Sequence, residues 1–397
     1  MRPLLTVEQA VARITERIAP LGVELVPVGA AAGRVLREDA HSRVDLPPFP
    51  SSAMDGFAVS AADTPGELPV VFRVSAGSAP PGVQPPGCAS GITTGGVLPE
   101  GADAVVPVED VDDDGDRITV SHAVSAGAHV RPRGGDVREG DPVLLAGERV
   151  RASHVGALAA AGIADVVCSV RPRVAVLPTG SELRAAGERL ALGQIYESNG
   201  AMLASLLSTA GAEVERMPVV EDDESALRDA LEAGLEADVL VTTGGVSMGP
   251  LDLVRGILGD LGVEEVFWGV AVKPGKPLSY GVRGRTHVFG LPGNPVSSLV
   301  GALVFVRPAL FGLQGHGDPS GSYEPGVLAS ELRRNPHRDE FVRARRRRSD
   351  DGVELVPVSG QESHMIVRAA TADALVLVPR GSEPIPAGAR VRYLALD

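Results

Sequence analysis

Between residues 171 and 315 the chain alternates short apolar segments with helical segments, and this alternation is the strongest constraint on its fold. Residues 174–177, 214–220, 239–243 and 287–291 have the length and composition of strands. One segment between them has apolar residues at helical spacing, namely Ala226, Leu227, Ala230, Leu231 and Leu235. Strands that alternate with helices form βαβ units. We therefore predict an α/β multi-domain protein whose central domain has three αβα layers around a mostly parallel sheet.

The flanking segments have a different texture, which predicts three further domains. Residues 46–133 contain Pro-Pro and Pro-Gly pairs and short Val-rich runs, as expected for an inserted β-rich domain. Residues 1–45 and 134–170 predict a discontinuous N-terminal linker domain, whose first helix starts at a capping box formed by Thr6 and Gln9. Residues 316–397 return to short strands and turns, which predicts a small C-terminal β-barrel.

Charge and composition exclude several classes of function. With 37 basic and 51 acidic residues, the formal net charge of −14 opposes binding to nucleic acid and to anionic membranes. Cys88 and Cys168 are too few and too far apart for a disulfide framework or a zinc ribbon. We find no signal-type segment and no run of about 18 apolar residues that would span a membrane. Cytoplasmic residence is therefore expected.

Three strand-to-helix junctions of the central domain are rich in glycine: residues 178–182, 242–249 and 291–295. In open α/β sheets, ligands bind beyond the carboxyl ends of the strands. Glycines let a ligand approach the backbone, and hydroxyls with helix-start amides donate hydrogen bonds to phosphate oxygens. The pattern predicts a site for a nucleotide-like anion, although it matches neither the Walker A nor the dinucleotide fingerprint. The alternative is structural, since Asn294 before Pro295 also forms a good helix N-cap.

Lysine occurs at two positions only, Lys273 and Lys276, among 37 basic residues. Both lie in the short segment 272–277. The compact ammonium group of lysine is not equivalent to the planar guanidinium group of arginine. We therefore predict that the two lysines bind an oxyanion; the alternative is a solvated turn.

Carboxylates follow the glycine-rich turns and predict a magnesium site. Glu182 follows the first turn, Asp252 follows the second, and Asp222 and Asp223 follow the strand that ends near Val220. Mg²⁺ is usually bound by one or two carboxylates together with ligand phosphates, so Asp252 with Glu182 or Asp222 could bind it. For Asp222 and Asp223 the alternative is an N-cap of the next helix.

Two other patterns are better explained by structure than by function. Residues 110–121 begin like a calcium loop, but the twelfth position is Ser121, and the Asp-Gly pair before residues 118–120 favours a hairpin turn. Residues 345–348 are four arginines, which we interpret as a solvated strand because the chain as a whole is acidic.

The order of the motifs resembles one family, the molybdopterin molybdenumtransferases of the MoeA type with their gephyrin E-domain relatives. The matching segments extend over nearly the whole chain: 52–58, 93–95, 101–106, 131–136, 178–183, 195–199, 243–252, 273–277 and 291–295. The resemblance implies an elongated homodimer of four-part subunits. It also implies a Mg²⁺-dependent reaction in which adenylylated molybdopterin and molybdate give molybdenum cofactor and AMP.

The resemblance implies roles for single residues as well. Those of the N-terminal half would contribute to the site of the partner subunit: Asp55, Thr94, Arg131 and Asp136. Catalytic roles in the central domain fall to Glu182, Asp252, Lys273 and Lys276, with Mg²⁺ bound by Asp252, Glu182 and Asp222. Contacts to AMP and pterin phosphates fall to Thr179, Gly180, Ser198, Asn199, Thr243, Gly244, Gly245, Ser247, Pro277, Pro292, Asn294 and Pro295. Arg343 and Ser363, together with Lys276, resemble a molybdate pocket.

The sequence departs from the family pattern at two positions and leaves two other functions open. Many relatives have a lysine where Gly269 lies and an acidic residue where Gly135 lies. The αβα domain alone also resembles molybdopterin adenylyltransferases, which make the substrate of this reaction and could dock transiently. A non-enzymatic dimeric scaffold of the gephyrin E-domain type is the other alternative.

Overall fold

The computed structural model describes residues 4–245, 253–318, 323–349 and 352–396. The N-terminal part contains these elements: α1 Val7–Thr15, β1 Val23–Pro27, β2 Ala40–His41, β3 Ser51–Ser52, β4 Gly56–Val59, β5 Gly66–Val74, β6 Ala89–Ile92, β7 Ala104–Pro107, β8 Val111–Asp113, β9 Arg117–Val120, β10 Val130–Arg131, β11 Pro142–Leu144, α2 Ala152–Ala160 and β12 Asp165–Ser169. The predicted capping box is present, since Gln9 N donates to Thr6 Oγ1 at 3.1 Å and Thr6 N donates to Gln9 Oε1 at 3.0 Å.

Two segments that are distant in sequence form one unit on either side of the β-rich insertion. Strand β1 pairs with β12, and β2 pairs with β11, both antiparallel. Buried residues from both segments, among them Val26, Leu36 and Leu158, share one hydrophobic cluster. The insertion therefore leaves this unit and returns to it through adjacent strands.

The inserted segment forms a β-sheet with the strand order β7-β4-β6-β5-β9-β8. Strands β8 and β9 form an antiparallel hairpin whose turn contains Gly115 at φ +98°. Asp113 and Asp114 accept hydrogen bonds from backbone amides of this turn. The hairpin interpretation of this acidic segment is confirmed.

The central part contains the predicted alternation of strands and helices. Its elements are β13 Arg173–Pro178, β14 Leu183–Arg184, β15 Ile195–Tyr196, α3 Asn199–Thr209, β16 Glu213–Arg216, α4 Glu224–Gly234, β17 Val239–Thr243, α5 Leu253–Asp260, β18 Glu264–Trp268, β19 Val272–Lys273, β20 Ser279–Arg283, β21 Thr286–Leu291, α6 Pro295–Gly301, a π-helical segment Ala302–Val306 and α7 Arg307–Leu313. The main sheet has the order β16-β13-β17-β21-β20-β18, parallel from β16 to β21 and antiparallel beyond.

One predicted strand is shorter than expected, and two described strands of the main sheet, β18 and β20, were not predicted. The segment 214–220 is a strand only as far as Arg216, because Pro218 lacks the amide hydrogen that a ladder needs; Val220 returns as a single bridge to Thr179. Strands β18 and β20 contain charged residues and a glycine, so their periodicity is weak.

The two faces of the central sheet pack against different helices. Along β13, Val174 and Val176 belong to the hydrophobic cluster that includes α1, α3 and the helical run 295–313. Ala175 and Leu177 belong to the cluster that includes α4 and α5. This alternation is the expected result of the two-residue period of a strand that is covered on both sides.

The expectation that no apolar run is long enough for a membrane span was wrong for the helical run Pro295–Leu313. Within the described residues this is the single run that is long and apolar enough, with a mean hydropathy of 1.8. Its residues are mostly buried inside the protein, where Val300, Phe305 and Leu310 are 0% exposed. Burial therefore identifies this run as a core helix, although its length and composition would also suit a membrane span.

The C-terminal part forms the predicted barrel. Its elements are β22 Glu324–Leu328, β23 Asp339–Ser349, β24 Gly352–Pro357, α8 Ile366–Ala369, β25 Ala374–Val378 and β26 Arg390–Ala395. Five of the described strands follow the order β23-β24-β22-β26-β25, and pairing of β25 with β23 closes the barrel. The arginine run lies in β23, where Arg347 pairs with Glu354 of the neighbouring strand, as expected for a solvated strand.

We predict that His287 makes the stability of the central sheet depend on pH. His287 is 4% exposed, its Nδ1 lies 2.8 Å from the Tyr280 hydroxyl, and burial lowers its pKa although Asp238 partly opposes the shift. Because the pKa in the folded protein lies below the unfolded value of about 6.5, the contribution of His287 is complete above that pH and is lost as the pH falls.

In urea denaturation followed by the fluorescence of Trp268, the free energy of unfolding of the wild-type protein should fall between pH 7 and pH 5 by about 1 kcal/mol more than that of His287→Gln. Glutamine can keep the hydrogen bond to Tyr280 and does not titrate. Equal pH dependence in the two proteins would contradict the assignment.

Candidate active site

The carboxyl ends of three parallel strands meet at one edge of the central sheet. Thr179 N donates to Thr243 O at 2.9 Å, and Thr179 Oγ1 donates to the same oxygen at 3.2 Å. Gly244 N donates to Leu291 O at 3.2 Å. The three glycine-rich junctions found in the sequence are therefore adjacent in space.

Two successive glycines after β17 are required by the backbone geometry. Gly244 has φ +92°, and a Cβ there would lie 2.4 Å from Thr179 O. Gly245 has φ +60°, and a Cβ there would lie 2.6 Å from Val254 Cγ2. Glycine is therefore needed here for close packing within the protein, and the predicted approach of a ligand to this backbone stays a prediction. Ser247 and Asp252, which follow in the chain, lie outside the described residues.

Asn199 has a buried acceptor atom for which the described part of the chain provides no donor. Its Nδ2 donates to Gly293 O at 2.8 Å, while its Oδ1 has no hydrogen-bond partner; the residue is 8% exposed. Buried polar atoms are nearly always satisfied by protein, water or ligand. An unsatisfied amide oxygen beside the glycine-rich strand ends therefore indicates a position for a ligand or water donor.

Glu197 fixes the start of α3 and was not singled out from the sequence. Its Oε1 accepts from Gly200 N at 2.6 Å, its Oε2 pairs with Arg216 Nη2 at 2.8 Å, and the residue is 4% exposed. Ser198, at the N-cap, makes no side-chain capping bond and is exposed. Glu197 lies three residues before a helical glycine, and that spacing could have identified it.

The predicted carboxylates lie around the first glycine-rich turn. A Cβ at Gly180 would lie 2.6 Å from Glu182 Oε2, so this carboxylate folds back over the turn. Asp222 Oδ2 accepts from Ser181 Oγ at 3.3 Å, whereas Asp223 caps α4 by accepting from Ala226 N at 2.9 Å. Among the described residues no group of three metal-ligating side chains occurs. The two acids Glu182 and Asp222 fit the small protein share of a Mg²⁺ site that is completed by ligand phosphates.

The two lysines have different environments. Lys273 Nζ lies 2.5 Å from Glu340 Oε1, where β19 runs parallel to β23 of the barrel. Lys276 is exposed, and no ion pair to it occurs within the described residues. Its carbonyl accepts from Val270 N at 3.0 Å, which fixes the turn next to half-buried Pro277. Lys276 is therefore the lysine whose charge is available to an anion.

Arg343 is buried and binds the loop that contains Ser363. It is 1% exposed, and its Nη2 donates to Gly360 O at 2.8 Å while its Nη1 donates to Met365 O at 3.2 Å. Gln361, which the sequence did not single out, accepts from Arg343 N at 3.0 Å and donates to Arg343 O at 3.0 Å. Ser363 O in turn accepts from Val296 N at 3.0 Å. Arg343 thus positions this loop against α6, and its direct contact with an anion stays a prediction.

The third junction combines capping geometry with a free side chain. Asn294 is the N-cap residue of α6 and Pro295 is its first residue, but the Asn294 side chain makes no capping hydrogen bond. The side-chain hydrogen bond at this helix start comes from Ser298, whose Oγ donates to Pro292 O. The structural alternative is thus correct for the position of Asn294 and leaves its amide group available.

Gly269 has a structural reason to differ from the family pattern. Its φ is +86°, and a Cβ there would lie 2.7 Å from Leu4 Cδ2. A lysine at this position would be strained in this chain. The positive φ therefore favours glycine at this position.

The four predicted residues of the N-terminal half form a separate group. Asp55 Oδ1 accepts from Thr94 N at 2.7 Å, and β10 with Arg131 pairs with β3 beside them. Asp136 N donates to Leu46 O at 2.9 Å. All four are exposed, and no hydrogen bond or ion pair in the described ranges joins them to the strand-end site. Among the described residues of one chain, these four residues are therefore not connected to the strand-end site.

Family models match most of the chain in three consecutive segments. The MoeA N-terminal region (domains I and II) matches residues 5–162. A probable molybdopterin binding domain matches residues 175–312, and the MoeA C-terminal region (domain IV) matches residues 325–396.

Similar proteins match over almost their full length. Molybdopterin molybdenumtransferase 2 of Mycobacterium tuberculosis is 36% identical over 407 residues, which covers 99% of each chain. Molybdopterin molybdenumtransferase of Haemophilus influenzae is 33% identical and covers 98% of each chain. Among solved structures, the molybdopterin biosynthesis moeA protein of Pyrococcus horikoshii OT3 has a TM-score of 0.82 at 30% identity, covering 98% of this chain and 99% of that one.

We predict opposite effects of one substitution at two glycines. Gly244→Ala should lower the free energy of unfolding by at least about 2 kcal/mol, because alanine is strained at positive φ and its Cβ would collide with a backbone oxygen. Gly256→Ala should raise it by about 0.5–1 kcal/mol, because Gly256 lies inside α5 with no atom within 4 Å of its Cβ position.

Urea denaturation of the two variants and the wild type measures both effects. A Gly244→Ala protein as stable as wild type would show that the close approach at the strand ends is not required.

Proposed function

This chain belongs to the MoeA family of molybdopterin molybdenumtransferases, and we propose that it inserts molybdate into adenylylated molybdopterin with release of AMP. The observation that supports this most directly is the glycine-lined meeting of three strand ends beside the unsatisfied Oδ1 of Asn199. The glycines give such a ligand access to the backbone, and the Asn199 oxygen would accept a hydrogen bond from an N–H or O–H group of the ligand. In the proposed complex the phosphates and the pterin would contact the residues that the family resemblance implies for this role.

The central chemical difficulty is the approach of molybdate to a charged pyrophosphate. Two like unit charges 4 Å apart repel by about 4 kcal/mol at an effective dielectric constant of 20. Lys276 would offset this repulsion with its unpaired ammonium group, and Ser363 would donate a hydroxyl hydrogen bond to a molybdate oxygen. In this proposal Lys273 keeps the barrel in place through Glu340 while adding its charge to the same region.

Magnesium fits the acids that lie around the first turn. Glu182 and Asp222 would bind Mg²⁺, with Asp252 as the third ligand that the family resemblance implies. When bound, the ion would neutralise charge on the phosphate oxygens. The protein's own contribution is to hold these carboxylates beside the Gly180 turn, where Ser181 orients Asp222.

We propose that two chains form a homodimer in which each site is completed across the interface. The exposed group of Asp55, Thr94, Arg131 and Asp136 has no link to the strand-end site of its own chain among the described contacts. A second copy could bring this group to the anion, as the family resemblance implies.

The remaining proposals concern organisation and location. We propose domains at 1–45 with 134–170, at 46–133, at 171–315 and at 316–397, the third with three αβα layers. The ladders β1–β12 and β2–β11 support the discontinuous first domain. We also propose a cytoplasmic location, no binding to nucleic acid or membranes, and transient contact with a molybdopterin adenylyltransferase that supplies the substrate.

The main test supplies two substrate pairs to the purified protein. We expect molybdate-dependent AMP release from adenylylated molybdopterin, and no product from molybdopterin with ATP. Lys276→Met should lower the first rate by about 100-fold, because the unpaired charge is removed. Arg285→Met, which removes an exposed cation in the turn after β20, is the matched control and should leave the rate unchanged.

Product from molybdopterin with ATP alone would instead identify an adenylyltransferase. A protein that binds adenylylated molybdopterin but turns over neither pair would favour the scaffold alternative.

Sites shared between subunits predict complementation between inactive variants. Asp55→Ala and Lys276→Met chains should each be nearly inactive alone. Coexpressed, they should recover about a quarter of the wild-type rate, because half of randomly assembled dimers are mixed and each mixed dimer has one intact site. No recovery in verified mixed dimers would show that each site is formed within one chain.

A further inference from the structure

A cleft of about 600 Å³ lies between α3, the helical run 295–313 and the loop before α2. Its apolar wall includes Met202, Leu206 and Phe311. Its polar side chains are Arg149, Ser205, Thr209 and Arg307, and none of the described residues lining it is acidic. We call it the Arg149–Arg307 cleft.

Arg307 is a half-buried cation without a described partner. Its Nε is buried and makes no hydrogen bond, and Arg307 has no ion pair in the part of the chain that the structure describes. Burial lowers the pKa of this guanidinium, and repulsion by Arg149 lowers it further, although Tyr323 opposes the shift. Removing a guanidinium from water is unfavourable unless a charge or acceptors compensate it.

The second guanidinium does not supply that compensation. Arg149 Nη2 donates to Thr209 O at 2.6 Å, and its Nε donates to Gly33 O at 3.3 Å. These carbonyls satisfy donors but bring no net negative charge. Two positive groups thus line one cleft in a chain with 14 more negative than positive charges.

Two buried arginines of this chain have partners of the kind that Arg307 lacks in the described part of the chain. Arg34 pairs with the carboxylate of Glu24, and Arg343 donates to several carbonyls of one loop. Arg307 has neither kind of partner among the described residues. Its position is that of a cation whose counter-ion comes from outside the chain.

We propose that the Arg149–Arg307 cleft binds a phosphate-type oxyanion at a site distinct from the strand-end site. Two guanidinium groups match the charge and donor geometry of a phosphate. Ser205 lies one helical turn before Thr209 on α3 and adds a hydroxyl to the same wall, whereas Thr209 Oγ1 already donates to Leu206 O at 2.7 Å. A bound anion would connect the loop of Arg149 to α3 and α7.

The distance along α3 separates the two sites. Asn199, in the strand-end site, is the first residue of the helix, and Thr209, in the cleft, is the last. Ten residues at 1.5 Å each place them about 15 Å apart. An anion held at the Thr209 end of the cleft therefore lies almost three helical turns from Asn199.

The test is calorimetry with inorganic phosphate on the full-length protein, at constant ionic strength with chloride as the reference anion. The Lys276→Met background weakens binding at the strand-end site, so the remaining binding reports the cleft. We expect one phosphate per chain in this background, binding at least about 10-fold more weakly after Arg307→Gln. Arg285→Gln, an exposed cation outside the cleft, should leave binding unchanged.

A second variant guards against a folding defect in Arg307→Gln. Ser205→Asp places a carboxylate in the cleft, so it should abolish phosphate binding and raise the melting temperature measured without phosphate. Both variants must give the circular dichroism spectrum of the wild-type protein, which shows that they are folded.

Three outcomes would overturn the proposal. One is no phosphate binding beyond that of chloride in the Lys276→Met background. Another is unchanged binding in Arg307→Gln. The third has two parts: the protein with Arg307 intact binds no phosphate, and Arg307→Gln no longer forms a dimer. This result would show that a carboxylate of a second copy neutralises Arg307. None of these outcomes depends on turnover of adenylylated molybdopterin, so the two proposals can fail separately.

Discussion

The contact between the ends of three parallel strands determines the rest of the site. Thr179 and Gly244 approach so closely that a methyl group at position 244 would overlap a backbone oxygen. The glycines therefore leave room for a ligand to approach the backbone where side chains would otherwise lie. The starts of α3 and α6 lie at the same edge, because Asn199 donates to Gly293 O. Backbone geometry, more than any one side chain, makes this edge suitable for an anion.

The barrel is part of this arrangement. Strand β19 and Lys273 connect the lysine segment to β23 and Glu340, and Ser363 O bonds to the first turn of α6. Arg343 and Gln361 hold the loop between these points. The position of Lys276 relative to the strand ends consequently depends on backbone and polar contacts between the central part and the barrel.

The sequence predicted those features that depend on local pattern. The buried strands 174–177, 239–243 and 287–291, the capping box at Thr6 and the hairpin at Gly115 all follow from residues close in the chain. Strands β18 and β20 were missed because packing, rather than periodicity, makes them strands. Glu197 and Gln361 were missed because their partners Arg216 and Arg343 lie far away in sequence. The lack of a partner for Arg307 among the described residues could not be predicted either, since it is a property of the folded chain.

The first helix has a consequence for the order in which the protein can mature. Val7, Ala10 and Ile14 are buried in a cluster with Ala309 and Leu310, about three hundred residues later. A nine-residue helix is marginal alone in water, so α1 cannot be stable before those partners exist. During translation α1 must wait for α7 to leave the ribosome. The β-rich insertion, whose strands all lie between residues 51 and 131, is free to fold during that interval.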